Sequence, residues 1–104
     1  MQPEPRIKSI DNYKQFLGEL YDALNDIIRR KNPRGPLLTV SPMGIVGARS
    51  IAASMLVRFA LEHLHRKRPD VVVRIWKNAT TWYITINVKK FQEMSKEEFV
   101  ELLW

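Results

Sequence analysis

The chain has 104 residues, of which 45% are apolar, and a formal charge of +6, values that suit one domain with its own hydrophobic core. It contains no cysteine, which excludes disulfides, thiolate metal centres and cysteine nucleophiles. No apolar run approaches the ~20 residues needed to cross a bilayer, and Met1 to Lys8 is polar, carries Pro3 and Pro5, and lacks the apolar stretch of a signal peptide.

The expectation is therefore a cytoplasmic protein with no membrane partner, in which residues 1–10 form a flexible N-terminus and residues 11–104 a single α/β domain. From about Asp11 to Lys31, Tyr13, Phe16, Leu17, Leu20, Leu24, Ile27 and Ile28 recur at helical spacing and predict a helix with one apolar face. Asp11 is its expected N-cap, and Pro33 and Gly35 end it. Arg29, Arg30 and Lys31 in the last turn complement the helix dipole.

Leu37 to Ser41 reads as a short strand, and Pro42 to Gly47 as a loop. A second helix is expected from about Ala48 to His65. Its polar positions, Ser50, Ser54, Arg58 and Glu62, form a narrow stripe, and nearly everything else is apolar. A helix with that pattern must be covered on most sides, either between the sheet and the first helix or between the sheet and another subunit. After a basic connector from His65 to Asp70, Val71 to Lys77 and Thr81 to Lys90 predict two strands rich in β-branched and aromatic residues. Ser95 and Glu98 match a capping box, with Met94 and Phe99 at the staple positions, and predict a short helix from Lys96 to Leu103. The resulting fold class is α+β, in the order α-β-α-β-β-α. A small sheet of three strands, or four if one more is added, has helices packed mainly on one face. The first two strands should be joined by a parallel crossover, and the last two form a hairpin.

The hairpin carries the chemistry. With its turn at Asn78-Ala79, or a four-residue turn from Lys77 to Thr80 in the same register, Ile75 lies opposite Trp82 and Arg74 opposite Tyr83. Alternation then assigns Val71, Val73, Ile75, Trp82, Ile84, Ile86 and Val88 to the core. The other face holds Val72, Arg74, Trp76, Thr81, Tyr83, Thr85, Asn87 and Lys89. Such a face can stack exposed bases on Trp76 and Tyr83 while Arg74 and Lys89 neutralise phosphates. Charge is distributed in the same sense: residues 1–26 are net −2, residues 27–92 net +11 and residues 93–104 net −3. A middle segment this basic projects the field expected of a polyanion binder. Lys77, Thr85, Arg29, Arg30, Arg34, Arg49 and Arg66 complete the candidate binding set. The Gly44–Gly47 loop, followed by Arg49 in the next helix's first turn, offers backbone N–H groups for a phosphate, although it matches neither a P-loop nor a dinucleotide fingerprint. No enzyme signature emerges and no cofactor is expected: His63 and His65 point to different sides of a helix, and no serine has a nucleophile-elbow setting.

The strand, glycine-bearing loop, long apolar helix and aromatic, basic hairpin of residues 36–90 resemble the ThermoDBP-like single-stranded DNA-binding proteins of hyperthermophilic archaea. The resemblance implies a cleft that holds single strands without sequence preference, with Arg74, Trp76, Tyr83 and Lys89 in contact with the ligand. It also implies an archaeal, thermophilic origin. The same segment is more loosely similar to Alba chromatin proteins. The expected function is sequence-tolerant binding of single-stranded DNA or RNA. The alternatives are an Alba-like architectural binder of duplexes, a small metal-independent ribonuclease or toxin, and an interaction module whose apolar helix and Trp104 make a homodimer.

Overall fold

Residues 12–47 and 50–104 are described by a computed structural model of the chain; the expected flexible N-terminus, Asp11 and Arg49 lie outside them. The first helix, α1 (Tyr13–Lys31), is capped by Asn12, one residue after the expected Asp11, with Asn12 Oδ1 accepting from the Gln15 N–H at 3.1 Å. It ends at Asn32, whose φ of 44° is the left-handed conformation that asparagine tolerates. Phe16, Leu17, Leu20, Leu24, Ile27 and Ile28 are all buried on its inner face, and each such side chain contributes roughly 1.5–3 kcal/mol.

β1 (Leu37–Val40) leads directly into a short helix, α2 (Pro42–Val46), where a loop was expected. Ser41 caps it, Pro42 takes the first position, where its missing N–H costs nothing, and Gly47 closes it at φ 82°. The long helix α3 (Ile51–Lys67) starts from Ser50, whose hydroxyl accepts from the Ala53 N–H at 3.0 Å. The expected loop is thus a helix with Gly44 inside it, and α3 is capped by Ser50, two residues after the expected start at Ala48, which lies outside the described residues, as does Arg49.

β2 (Val72–Asn78) and β3 (Thr81–Asn87) form the hairpin. The sheet order is β1-β3-β2, and both outer strands run antiparallel to β3. β1 and β2 thus run in the same direction, as the crossover reading required, but β3 lies between them. The hairpin turn is Ala79-Thr80 rather than Asn78-Ala79, so Ile75 pairs with Ile84, Trp76 with Tyr83 and Arg74 with Thr85. The shift is an even one, so every side chain up to Arg74 keeps its expected face. A bulge at Val73 then swaps the next residues: Val72 pairs with Ile86 and is fully buried, and Val73 is half-buried. Trp82, assigned to the core, is also only half-buried, because it sits at the hairpin end.

β3 stops at Asn87, whose side chain caps a further short helix, α4 (Val88–Glu93), by accepting from the Lys90 N–H at 3.1 Å. α5 (Lys96–Leu103) has the expected capping box, with Ser95 and Glu98 each bonded to the other's backbone. Tyr21, Phe91 and Phe99 form an aromatic cluster joining α1, α4 and α5, and the Tyr21 hydroxyl donates to the Met94 carbonyl at 2.6 Å. Among the described residues α2, α3 and α4 pack on the strands and α1 and α5 on the other helices, and all share one core with Val40, Val72, Ile84 and Ile86 of the sheet. No helix among the described residues is long and apolar enough to cross a membrane.

Candidate nucleic-acid interface

Among the described residues no helical layer covers the outer face of the sheet. Register places Leu37 and Thr39 of β1, Tyr83, Thr85 and Asn87 of β3, and Arg74 and Trp76 of β2 on that face. At its centre, Trp76 and Tyr83 are direct cross-strand partners, with ring centroids 5.5 Å apart and planes inclined by 27°. The Arg74 guanidinium carbon lies 4.4 Å from the Trp76 centroid. Three flat groups, guanidinium, indole and phenol, therefore form one ladder across β2 and β3. Trp76 and Tyr83 are half-buried and Arg74 is exposed. Part of each ring's cover comes from its neighbour in the ladder. Behind the rings, the hydroxyls of Thr39 and Thr85 share a hydrogen bond at 3.0 Å, which satisfies both and stiffens the β1–β3 pairing.

Tyr83 also lines a cleft of about 440 Å³ on the β1 side, together with Arg30, Lys31, Thr39, Ser41 and Gly44. The end of α1 reaches this cleft because the chain turns back at Asn32 and lays β1 along the sheet edge. Arg30 Nε is held by Asp26 at 3.1 Å, which sets the guanidinium beside the cleft, and Arg29 shares the same carboxylate at 2.9 Å. The arrangement is an aromatic platform with hydroxyls at its base and cations at both ends, Arg74 on one side and Arg30 and Lys31 on the other. Such a surface accepts a flat, unpaired base against a ring while neighbouring phosphates meet the cations.

Of the residues singled out from the sequence, Arg74, Trp76, Tyr83 and Thr85 come together on the open face, and Arg30 joins them through the cleft. Lys77 does not: it pairs with Trp82 on the opposite face, with Nζ 5.8 Å from the Trp82 ring. Lys89 is removed from the strand altogether, since β3 ends two residues earlier and Lys89 falls in the first turn of α4. Arg29 is exposed on α1 beside Asp26, Arg34 is exposed in the connection from α1 to β1, and Arg66 is exposed in the last turn of α3, in the helical layer. Sequence reasoning missed Lys31, Thr39 and Ser41 as cleft residues. Lys31 had a sufficient local explanation in the helix dipole, and nothing local shows that β1 will lie beside it.

A second aromatic and cationic group lies at the hairpin end. The Arg58 guanidinium carbon is 4.5 Å from both the Phe59 and the Trp82 centroids, and Nη1 bonds Glu62 at 3.1 Å. His65 does not face a shared site with His63; its Nδ1 is bonded to the Val72 carbonyl at the bulge. No family model matches this chain, and neither the curated proteins nor the solved structures contain a match to it.

Proposed function

We propose that this protein binds single-stranded nucleic acid, DNA or RNA, without strong sequence preference, through the open face of its sheet. The observation that carries the proposal is the Arg74–Trp76–Tyr83 ladder on the outer sheet face, over which no helix lies among the described residues, continuous with a cleft that holds Arg30 and Lys31. Stacking tolerates any base because every base has a π-face, and the cations respond to phosphates alone. The two residues of this face whose type can read a base edge are already engaged, Arg74 against the Trp76 ring and Asn87 as the cap of α4. A pair of half-buried rings also favours unpaired bases over a stacked duplex, whose base faces are already occupied. In this reading the protein is a cytoplasmic binding protein rather than an enzyme, and of the same kind as the ThermoDBP-like proteins.

The test is a competition between single-stranded and duplex oligonucleotides of the same length at several salt concentrations. The proposal expects single strands, whether thymidine- or uridine-rich, to bind more tightly than duplex, with affinity falling as salt rises. Duplex preference at every salt would favour an Alba-like architectural role, and cleavage of the RNA probe would favour a ribonuclease.

A further inference from the structure

The side of α3 that sequence reasoning expected to be covered is bare. Ile51 is 74% exposed, Met55 45% and Phe59 46%, and they follow one another at four-residue spacing along a single helix face. Met43 of α2, 38% exposed, adjoins Ile51 and Met55 across a shared pocket of about 310 Å³. The side of α3 turned inward carries Ala53, Val57, Ala60, Leu61 and Leu64, and the polar positions Ser54 and Arg58 lie at its margin, beside the pocket. Ser54 is buried with its hydroxyl donating to the Ile51 carbonyl at 2.8 Å, and Arg58 is held between two rings and by Glu62. α3 packs on α2, β2 and α5, and α1 covers α5 instead. With Ile51, Met55 and Phe59 exposed, the first of the two expected covers, the first helix, does not lie over this side of α3.

We infer that this stripe is the contact surface for a second copy of the same chain. Charge argues for this occupant. Residues 51–65 carry one arginine and one glutamate, hence no net charge, inside a segment, residues 27–92, that carries +11. A polyanion has no reason to prefer the stripe, and a second cationic copy meets beside it Arg58, whose charge is balanced by Glu62 at 3.1 Å. Area argues the same way. At about 200 Å² for a fully exposed large side chain, the uncovered parts of the four residues present roughly 400 Å² of apolar surface. A standard interface buries about 800 Å² on each partner, somewhat more than half of it apolar. The stripe and its polar margins match that size.

Geometry permits the closed form. In a two-fold contact the same patch meets itself. With two α3 helices antiparallel and Met55 near the axis, Ile51 of each copy reaches Phe59 of the other. Methionine, unbranched and adaptable, suits a position that must face its own copy. The sheet's open face is the one turned away from the helices, α3 among them, so a dimer made this way carries two binding surfaces.

The test is the mass in solution of the nucleic-acid-free full chain, by light scattering or sedimentation, from about 1 to about 100 μM, at low and at molar salt. The inference expects twice the chain mass of 12.2 kDa at the upper end, retained at molar salt because the contact is apolar. Met55→Glu and Phe59→Glu should each give monomers with an unchanged circular dichroism spectrum. Leu37→Glu, an exposed apolar site on the sheet's outer face, should leave the dimer intact. Should either glutamate variant fail to fold, Ile51→Ser takes its place, since that side chain is the most exposed of the three. A 12.2 kDa species across the whole range would overturn the inference, as would a dimer that survives the α3 substitutions.

Discussion

Replacing Trp76 by alanine separates stacking from charge. The indole is half-buried on the outer face, 5.5 Å from the Tyr83 ring and 4.4 Å from the Arg74 guanidinium, and touches no part of the core cluster. Losing an aromatic pair of about 0.5–1.5 kcal/mol and an exposed cation–π contact of about 0.5–1 kcal/mol leaves most of a typical folding stability of ~5–15 kcal/mol intact. The variant should therefore fold. For binding, one stacked base is worth ~1–3 kcal/mol, so the dissociation constant should rise by about 5- to 150-fold at fixed salt. The dependence of affinity on salt should not change, because no phosphate contact is removed. Arg74→Ala should do the opposite, with a smaller loss of affinity and a salt slope shallower by about 0.7 for one phosphate on a single strand. Fluorescence anisotropy with a labelled single strand, repeated at several salt concentrations, gives both quantities. A folded Trp76→Ala protein with wild-type affinity would refute the stacking argument. So would a loss that appears only as a reduced salt slope, since the ring would then matter only through its hold on Arg74.

Other consequences follow from single observations. Ala79 sits in the hairpin turn at φ 55°, a conformation that costs a residue with a Cβ about 1–2 kcal/mol. Ala79→Gly should raise stability by roughly 0.5–1 kcal/mol after the entropy of the unfolded glycine is counted, measured as a higher urea midpoint; a lower midpoint would contradict the turn geometry. Tyr21→Phe removes the hydroxyl that donates to the Met94 carbonyl at 2.6 Å, and should cost about 1–3 kcal/mol in chemical denaturation because the carbonyl is left without its partner. Asp70's carboxyl is held below its ordinary range first by the hydrogen bond from Arg68. The stability it contributes is present above the usual carboxylate range and is lost as pH falls through the lowered value. Melting temperatures of Asp70→Asn and wild type should therefore differ most at neutral pH and converge in acid; a constant difference would contradict this.

Much of the fold was legible because it is written locally. The α1 face repeats at helical spacing, and the Ser95–Glu98 capping box states where α5 begins. The two short helices were harder. Pro42-Met43-Gly44 looks like a loop because glycine weakens a helix, yet Ser41 followed by proline is a start signal, and one turn of helix satisfies it. α4 was hidden inside an apparent strand because Val88 favours a strand, whereas the cap that starts the helix, Asn87, acts through its side chain. The hairpin register could not be read from alternation, since a shift of two residues leaves the faces unchanged. That same shift sets Trp76 directly opposite Tyr83. For the candidate site, alternation alone assigned Arg74, Trp76, Tyr83 and Thr85 to one face. The cleft beside them depends on where β1 lies relative to the end of α1, a tertiary fact with no local signature. The engagement of Ser54, Arg58 and Glu62 was equally hidden, because it depends on partners: a backbone carbonyl for Ser54, two rings for Arg58, and the ion pair between Arg58 and Glu62.

The most direct measurement is backbone amide mapping by NMR during titration with a short single strand. Arg74, Trp76, Tyr83 and Thr85 should shift together, joined by Arg30 and Lys31 at the end of α1, while the α5 amides stay still. Shifts centred on α5 or on the exposed stripe of α3, with the sheet's outer face unmoved, would contradict the central claim that the aromatic ladder is where the nucleic acid lies.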